Sequence, residues 1–172
     1  MVERQLSLKE YLALKAEERL EYEEGRLLAM AGDSREHNLL LTRLLLRLFP
    51  LAEAQGCRLL HQTVRLKVAE DRYYYPDLMV VCAPPPQDPY LEEAPCLVAE
   101  VLSPSTEARD RGTKLRAYLA LPSLQAYLLV DPKGLVEIYR KTEGGVLYEV
   151  HREGSILLDC PQGALDLREI FP

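Results

Sequence analysis

Apolar residues change their spacing partway along the chain. Ahead of residue 57 they recur every three or four positions: Leu8, Tyr11, Leu12 and Leu14, then Leu39, Leu40, Leu44, Leu45 and Leu48. That period predicts two helices. The first covers about residues 7–19 and opens on the capping box Ser7-Leu8-Lys9-Glu10. The second starts at Ser34, with Pro50 expected to kink or end it and Gly56 closing the segment. Between them, Glu21–Leu28 reads as two short strands around a Glu-Gly turn.

From Cys57 onward the period becomes two. Val64, Leu66 and Val68 alternate with Arg65, Lys67 and Ala69, as a half-buried strand would, and Glu70-Asp71 turns the chain into Arg72–Tyr75. Residues 77–82 and 97–102 are nearly continuous apolar runs, which predicts strands at the centre of a sheet. Pro84, Pro85, Pro86 and Pro89 enforce a loop between them. A helix over about 107–120, a strand over 126–130, short strands at 135–140, 146–152 and 156–158, and a packed tail at 165–171 complete the pattern. The expectation is a single α/β domain over 1–172. Its mixed central β-sheet is flanked by helices and carries an additional antiparallel meander.

Composition narrows the function only a little. The 172 residues carry a net charge of −6, which argues against a broadly basic nucleic-acid binder but leaves room for an enzyme that recruits cations. Cys57, Cys82, Cys96 and Cys160 form no CxxC pair and have no histidine at zinc spacing. They read as structural, with reduced core thiols expected beside the apolar runs at Cys82 and Cys96. The N-terminal residues lack an apolar signal core, and Arg43 and Arg47 interrupt the greasiest helix. A cytoplasmic protein without membrane contact is expected.

Two acids stand where apolar residues belong. Asp77 opens one central strand and Glu100 sits inside Leu97-Val98-Ala99-Glu100-Val101-Leu102. A carboxylate in a core strand is costly unless it is paired, protonated or bound to metal. Two of them suggest hard oxygen ligands for Mg²⁺ or Mn²⁺, and Lys114, on the following helix, adds a cation that stabilises phosphate charge or helps deprotonate a water. Each residue also has an ordinary explanation. Asp77 is then a polar strand start, Glu100 a buried ion-pair partner of Arg109 or Lys114, and Lys114 a partner of Asp110 on a solvated helix face. The joint order and spacing favour the site.

Tyr75-Pro76-Asp77-Leu78-Met79-Val80-Val81, then Val98-Ala99-Glu100-Val101-Leu102-Ser103-Pro104-Ser105-Thr106, Arg109-Asp110 and Lys114-Leu115-Arg116-Ala117-Tyr118, resemble the Uma2 family. The likeness extends to Arg19–Gly25 and Tyr127–Pro132. That family is similar to the PD-(D/E)xK restriction endonucleases. The resemblance implies a restriction endonuclease-like fold and metal-dependent cleavage of DNA. It also implies catalytic roles for Asp77, Glu100 and Lys114, with Glu21 and His37 in support. Glu36 is a second choice for the early acid. The superfamily places its lysine two residues after the glutamate, where this chain has Leu102. The resemblance therefore implies that the amine has moved to Lys114.

Arg109, Arg111 and Arg116 form a basic cluster suited to receiving phosphates, with Gln62 and Arg65 as further groove residues. Tyr73, Tyr74 and Tyr75 read as packing and interface residues more than as stacking platforms. A homodimer or higher homo-oligomer fits an enzyme that addresses two DNA strands. Two other readings stay open: a catalytically inactive nuclease-fold module for DNA binding or assembly, and a hydrolase of smaller phosphate esters.

Overall fold

The computed structural model describes residues 5–14 and 19–172. Helix α1 (Leu8–Ala13) is capped by Ser7, whose hydroxyl accepts from the Glu10 amide while the Glu10 carboxylate returns to the Ser7 amide. It is shorter than the expected 7–19. Leu14 is already extended, and residues 15–18 of that expected helix lie outside the described residues. Strands β1 (Leu20–Glu23) and β2 (Arg26–Ala29) form the hairpin expected around Gly25. Helix α2 (Arg35–Ala54) passes through Pro50 instead of breaking there. The carbonyl that an N–H at position 50 would have bonded belongs to Leu46, which is 63% exposed. Water can serve it.

A six-stranded sheet holds the centre, in the order β11 (Gly145–His151), β10 (Leu135–Thr142), β9 (Ala126–Asp131), β8 (Leu97–Val101), β6 (Leu78–Val81), β3 (Arg58–Leu60). Every residue of β6, β8 and β9 is buried, which is why these segments read as apolar runs without alternation. β6 pairs antiparallel with β8, and β8 parallel with β9. A second, five-stranded sheet contains β2, β1, β5 (Arg72–Tyr74), β4 (Arg65–Ala69) and β7 (Leu91–Glu92). The expected mixed central sheet is the six-stranded one, and the β1–β2 hairpin with β4, β5 and β7 forms a separate sheet. The expected meander divides, because β10 and β11 complete the central sheet while β12 (Ser155–Asp159) pairs only with β13 (Gln162–Asp166).

Helix α2 and the β12–β13 hairpin cover one face of the central sheet through Leu40, Leu44, Leu48, Ile156 and Leu165. The other face packs against α4 (Thr113–Leu119) and β4 through Leu66, Met79, Val98, Tyr118 and Tyr127. The expected helix over 107–120 is broken into α3 (Glu107–Asp110) and α4. Gly112 stands at the break, and a Cβ there would lie 2.8 Å from the Ala108 carbonyl oxygen. The chain turns where only glycine fits. No helix among the described residues is long and apolar enough to cross a membrane.

Candidate active site

Pairing Leu78 with Ala99 across β6 and β8 brings Asp77 opposite Glu100 at one end of the ladder. The Asp77 amide donates to Glu100 Oε2 at 3.0 Å, and the Val101 amide donates to Asp77 Oδ2 at 2.8 Å. Each acid is thereby fixed by the other's strand. His37, on the first turn of α2, brings Nε2 to 3.1 Å from the same Asp77 Oδ2. Neither contact uses Asp77 Oδ1.

The second carboxylate oxygen of Glu100 meets α4. Its Oε1 accepts from Lys114 Nζ at 3.0 Å and from the Tyr118 hydroxyl at 2.8 Å. Lys114 also lies 3.2 Å from Glu21 Oε1 and 3.6 Å from Asp110 Oδ1. Glu21 arrives from β1 of the other sheet, where its Oε1 accepts the Tyr75 amide and its Oε2 accepts from Arg109. Arg109 spans Glu21 and Glu23, each at 2.7 Å. The two sheets are thus joined by ion pairs at the cleft.

Glu21, Asp77, Glu100, Asp110 and Lys114 are all buried. Burial pushes the Glu100 carboxyl well above the usual range, and the charges of Asp77, Asp110 and Glu21 push the same way against Lys114. Burial likewise raises Asp110. Burial alone would lower Lys114, but Glu100, Glu21 and Asp110 outweigh it and hold the ammonium above its ordinary range. His37 is raised because its bond to Asp77 overcomes the opposing effect of burial. Three carboxylates, Glu21, Glu100 and Asp110, share one ammonium, with Asp77 beside them on His37 and Arg109 shared outward to Glu23. That excess of negative charge is what a small divalent cation relieves.

Asp110 Oδ1 is buried without a hydrogen-bond partner, and the donors are hard oxygens. Asp77 and Glu100 are the two carboxylates that would hold a hard divalent ion such as Mg²⁺ or Mn²⁺ here. Among the described residues, no third ligand atom closes on them as tightly as the ligand atoms of a formed site. A cleft of about 310 Å³ opens over them and is lined by all five expected catalytic residues, Asp77, Glu100, Lys114, Glu21 and His37. A wider depression of about 770 Å³ lies between Arg43, Lys133 and Phe171. It gathers none of the buried acids, so the chemistry belongs to the smaller cleft.

Other expected residues fall elsewhere. Glu36 is exposed and borders different depressions, so Glu21 alone joins the acids. Arg111 is engaged by Glu107, Asp131 and Glu137, while Arg116 is exposed on α4. Gln62 reaches the rim by donating to Asp33 at 2.9 Å. Arg65, expected to line the groove, is buried over the Tyr11 ring instead, 5.6 Å from its centroid. Tyr73, Tyr74 and Tyr75 are buried packing residues. Lys114 does pair with Asp110, but Asp110 is 1% exposed, so the solvated-face explanation of Lys114 fails. Tyr118 was not foreseen as a site residue. Its position four after Lys114, on the same helix face, was the available signal.

Comparison with known proteins gives consistent results. The model of the Uma2 family, described as "Putative restriction endonuclease", matches residues 8–166. The uncharacterized protein slr1290 of Synechocystis sp. is 36% identical over 145 residues, covering 81% of this chain and 76% of that protein. A second uncharacterized Synechocystis protein, sll1609, is 38% identical over 133 residues, covering 73% of this chain and 75% of its own. Among solved structures, a DUF820 protein of Anabaena variabilis described as a "putative nuclease" superposes with a TM-score of 0.78. It covers 96% of this chain and 97% of its own, at 20% identity, a likeness of fold.

Proposed function

The chain belongs to the Uma2 family, and from that premise we propose that it is a divalent-metal-dependent endonuclease hydrolysing phosphodiester bonds in DNA. One observation carries the reading: Lys114 meets Glu100, and Glu100 meets the backbone of Asp77, in a single cleft. In this reading Asp77 and Glu100 hold Mg²⁺ or Mn²⁺. The ion, when bound, supplies charge neutralisation at the phosphate and an acidified water.

The rest falls to the protein's own groups. Lys114, held above its ordinary range by Glu100, Glu21 and Asp110, stabilises charge developing on the phosphate. His37 orients Asp77 through their shared contact, and Glu21 fixes Lys114 and Arg109. Arg109, which lines the cleft, and the exposed Arg116 are the cations offered to the nucleic-acid backbone in this reading, with Arg111 engaged by its own carboxylates. The protein acts in the cytoplasm as a homodimer or higher homo-oligomer, for which the exposed Val146, Leu147, Tyr148 and Val150 of β11 offer a surface.

A second reading, a catalytically inactive DNA-binding or assembly module, draws support from Leu102, buried where the superfamily carries its lysine. Plasmid cleavage with Mg²⁺ or Mn²⁺ separates the two. The wild type is expected to cut, and Glu100→Ala to lose roughly 10²–10³-fold in rate. No metal-dependent cutting, or cutting indifferent to the substitution, rejects the nuclease reading.

A further inference from the structure

The far end of the β6–β8 ladder gathers every cysteine of the chain. Cys57 precedes β3, Cys82 follows β6, Cys96 precedes β8 and Cys160 lies in the turn between β12 and β13. Two disulfides join them, Cys57–Cys82 and Cys96–Cys160, with Cα separations of 4.2 and 6.0 Å. The expectation of reduced core thiols is thus corrected. What sequence spacing hid is that the two pairs touch. Cys82 Sγ lies 3.4 Å from Cys160 Sγ and 3.9 Å from Cys96 Sγ.

We propose that, in its reduced form, this four-cysteine cluster is a tetrathiolate site for Zn²⁺, and that the two disulfides are its oxidised, metal-free alternative. Three features argue for it. A tetrahedral ion with Zn–S bonds of ~2.3 Å sets its sulfurs ~3.8 Å apart, close to the separations between the two pairs. Among the described residues, Cys82, Cys96 and Cys160 are the one trio of His, Cys, Asp or Glu ligand atoms that all close to within 4.8 Å of one another. Two independent staples have no need to adjoin, whereas these meet through Cys82, Cys96 and Cys160, with Cys57 one disulfide bond from Cys82.

The scaffold suits a fixed site. The Cys96 amide donates to the Val80 carbonyl and the Cys57 amide to the Ala52 carbonyl, at 2.8 and 2.9 Å, so backbone bonds hold two of the ligands. Cys82 is exposed and Cys57 and Cys160 half-buried, which leaves an entry path. Soft thiolates select Zn²⁺ over the hard cations suited to the carboxylate cleft. That cleft lies ~17 Å away, five residue steps from Asp77 to Cys82 along the line of β6.

The chemistry balances in two steps. Two molecules of a dithiol reduce the two disulfides, each exchange moving two electrons and two protons and leaving a cyclic disulfide on the reductant. The four thiols then bind one Zn²⁺ and release four protons.

The test starts from protein reduced with dithiothreitol under argon and freed of reductant and metal. Titration with Zn²⁺ against a chromophoric chelator is expected to show one tight site per chain. Co²⁺ is expected to give thiolate-to-metal charge-transfer absorption. Cys82→Ser should weaken Zn²⁺ at least tenfold, and Glu100→Ala should leave it unchanged, which separates this site from the carboxylate cleft. Should the serine variant not fold, iodoacetamide labelling of the reduced wild type decides. Bound Zn²⁺ should slow modification of the thiols at least tenfold. Binding weaker than micromolar, a Co²⁺ spectrum without the thiolate band, or labelling indifferent to Zn²⁺ overturns the proposal.

Discussion

The two ends of the β6–β8 pair stand under different constraints. At one end, Asp77 and Glu100 are buried charges that the fold tolerates only because His37, Lys114, Tyr118 and two backbone amides meet them. At the other, four sulfurs need no counter-charge while they are paired covalently. The first end is held together by electrostatics that fail when one member is removed. The second is held by cross-links that act largely by restricting the unfolded chain. Neither cross-link joins β6 to β8: Cys57–Cys82 ties β6 to β3, and Cys96–Cys160 ties β8 to the β12–β13 turn. The sulfur end thus anchors the ladder to its neighbours, while the acid end locks its two strands to each other.

The largest expected effect breaks the electrostatic end. Lys114→Met leaves Glu100, Glu21 and Asp110 without their shared ammonium and should cost about 3–5 kcal/mol, read by urea unfolding. Added Mg²⁺ should recover part of that loss, since a ligand of the native state alone stabilises it. A loss under 1 kcal/mol would mean that the acids are already neutral without the lysine.

Next comes the tied end. In the oxidised protein, replacing Cys96 and Cys160 by serine should cost about 2–4 kcal/mol. The shorter Cys57–Cys82 link should cost about 1 kcal/mol less on the loop-length argument, the two spanning 64 and 25 residues. Equal losses in thermal and urea melts would show that native-state contacts, not chain entropy, dominate there. The smallest effect sharpens the first end. Tyr118→Phe removes one hydrogen bond to Glu100 while keeping the ring, and should cost about 1–2 kcal/mol with the Cys cluster untouched.

Much of this was legible in the sequence, for identifiable reasons. Residues 78–81 and 97–101 are buried on both faces, so their strands showed as unbroken apolar runs. Glu100 stood out because nothing else in its run is polar. Asp77 and Glu100 meet by strand pairing, which alternation alone could anticipate. Glu21 could be matched only through family likeness, because its contact with Lys114 crosses from one sheet to the other. The break between α3 and α4 turned on a single close approach at Gly112, which helical periodicity does not register. The continuation of α2 through Pro50 depended on which face Leu46 presents to water. The sulfur cluster was invisible because its members come from four elements far apart in the chain, and ligand spacing is a local signal.

Lys114 has one more consequence. An acid-rich hollow that carries its own ammonium has a resident counter-ion from the moment the chain collapses. Such a protein can reach its native shape in metal-starved surroundings and survive chelation intact. If the hollow takes a divalent ion as proposed, loading is then a late event, decided by how much ion the surroundings offer, and separable from biosynthesis.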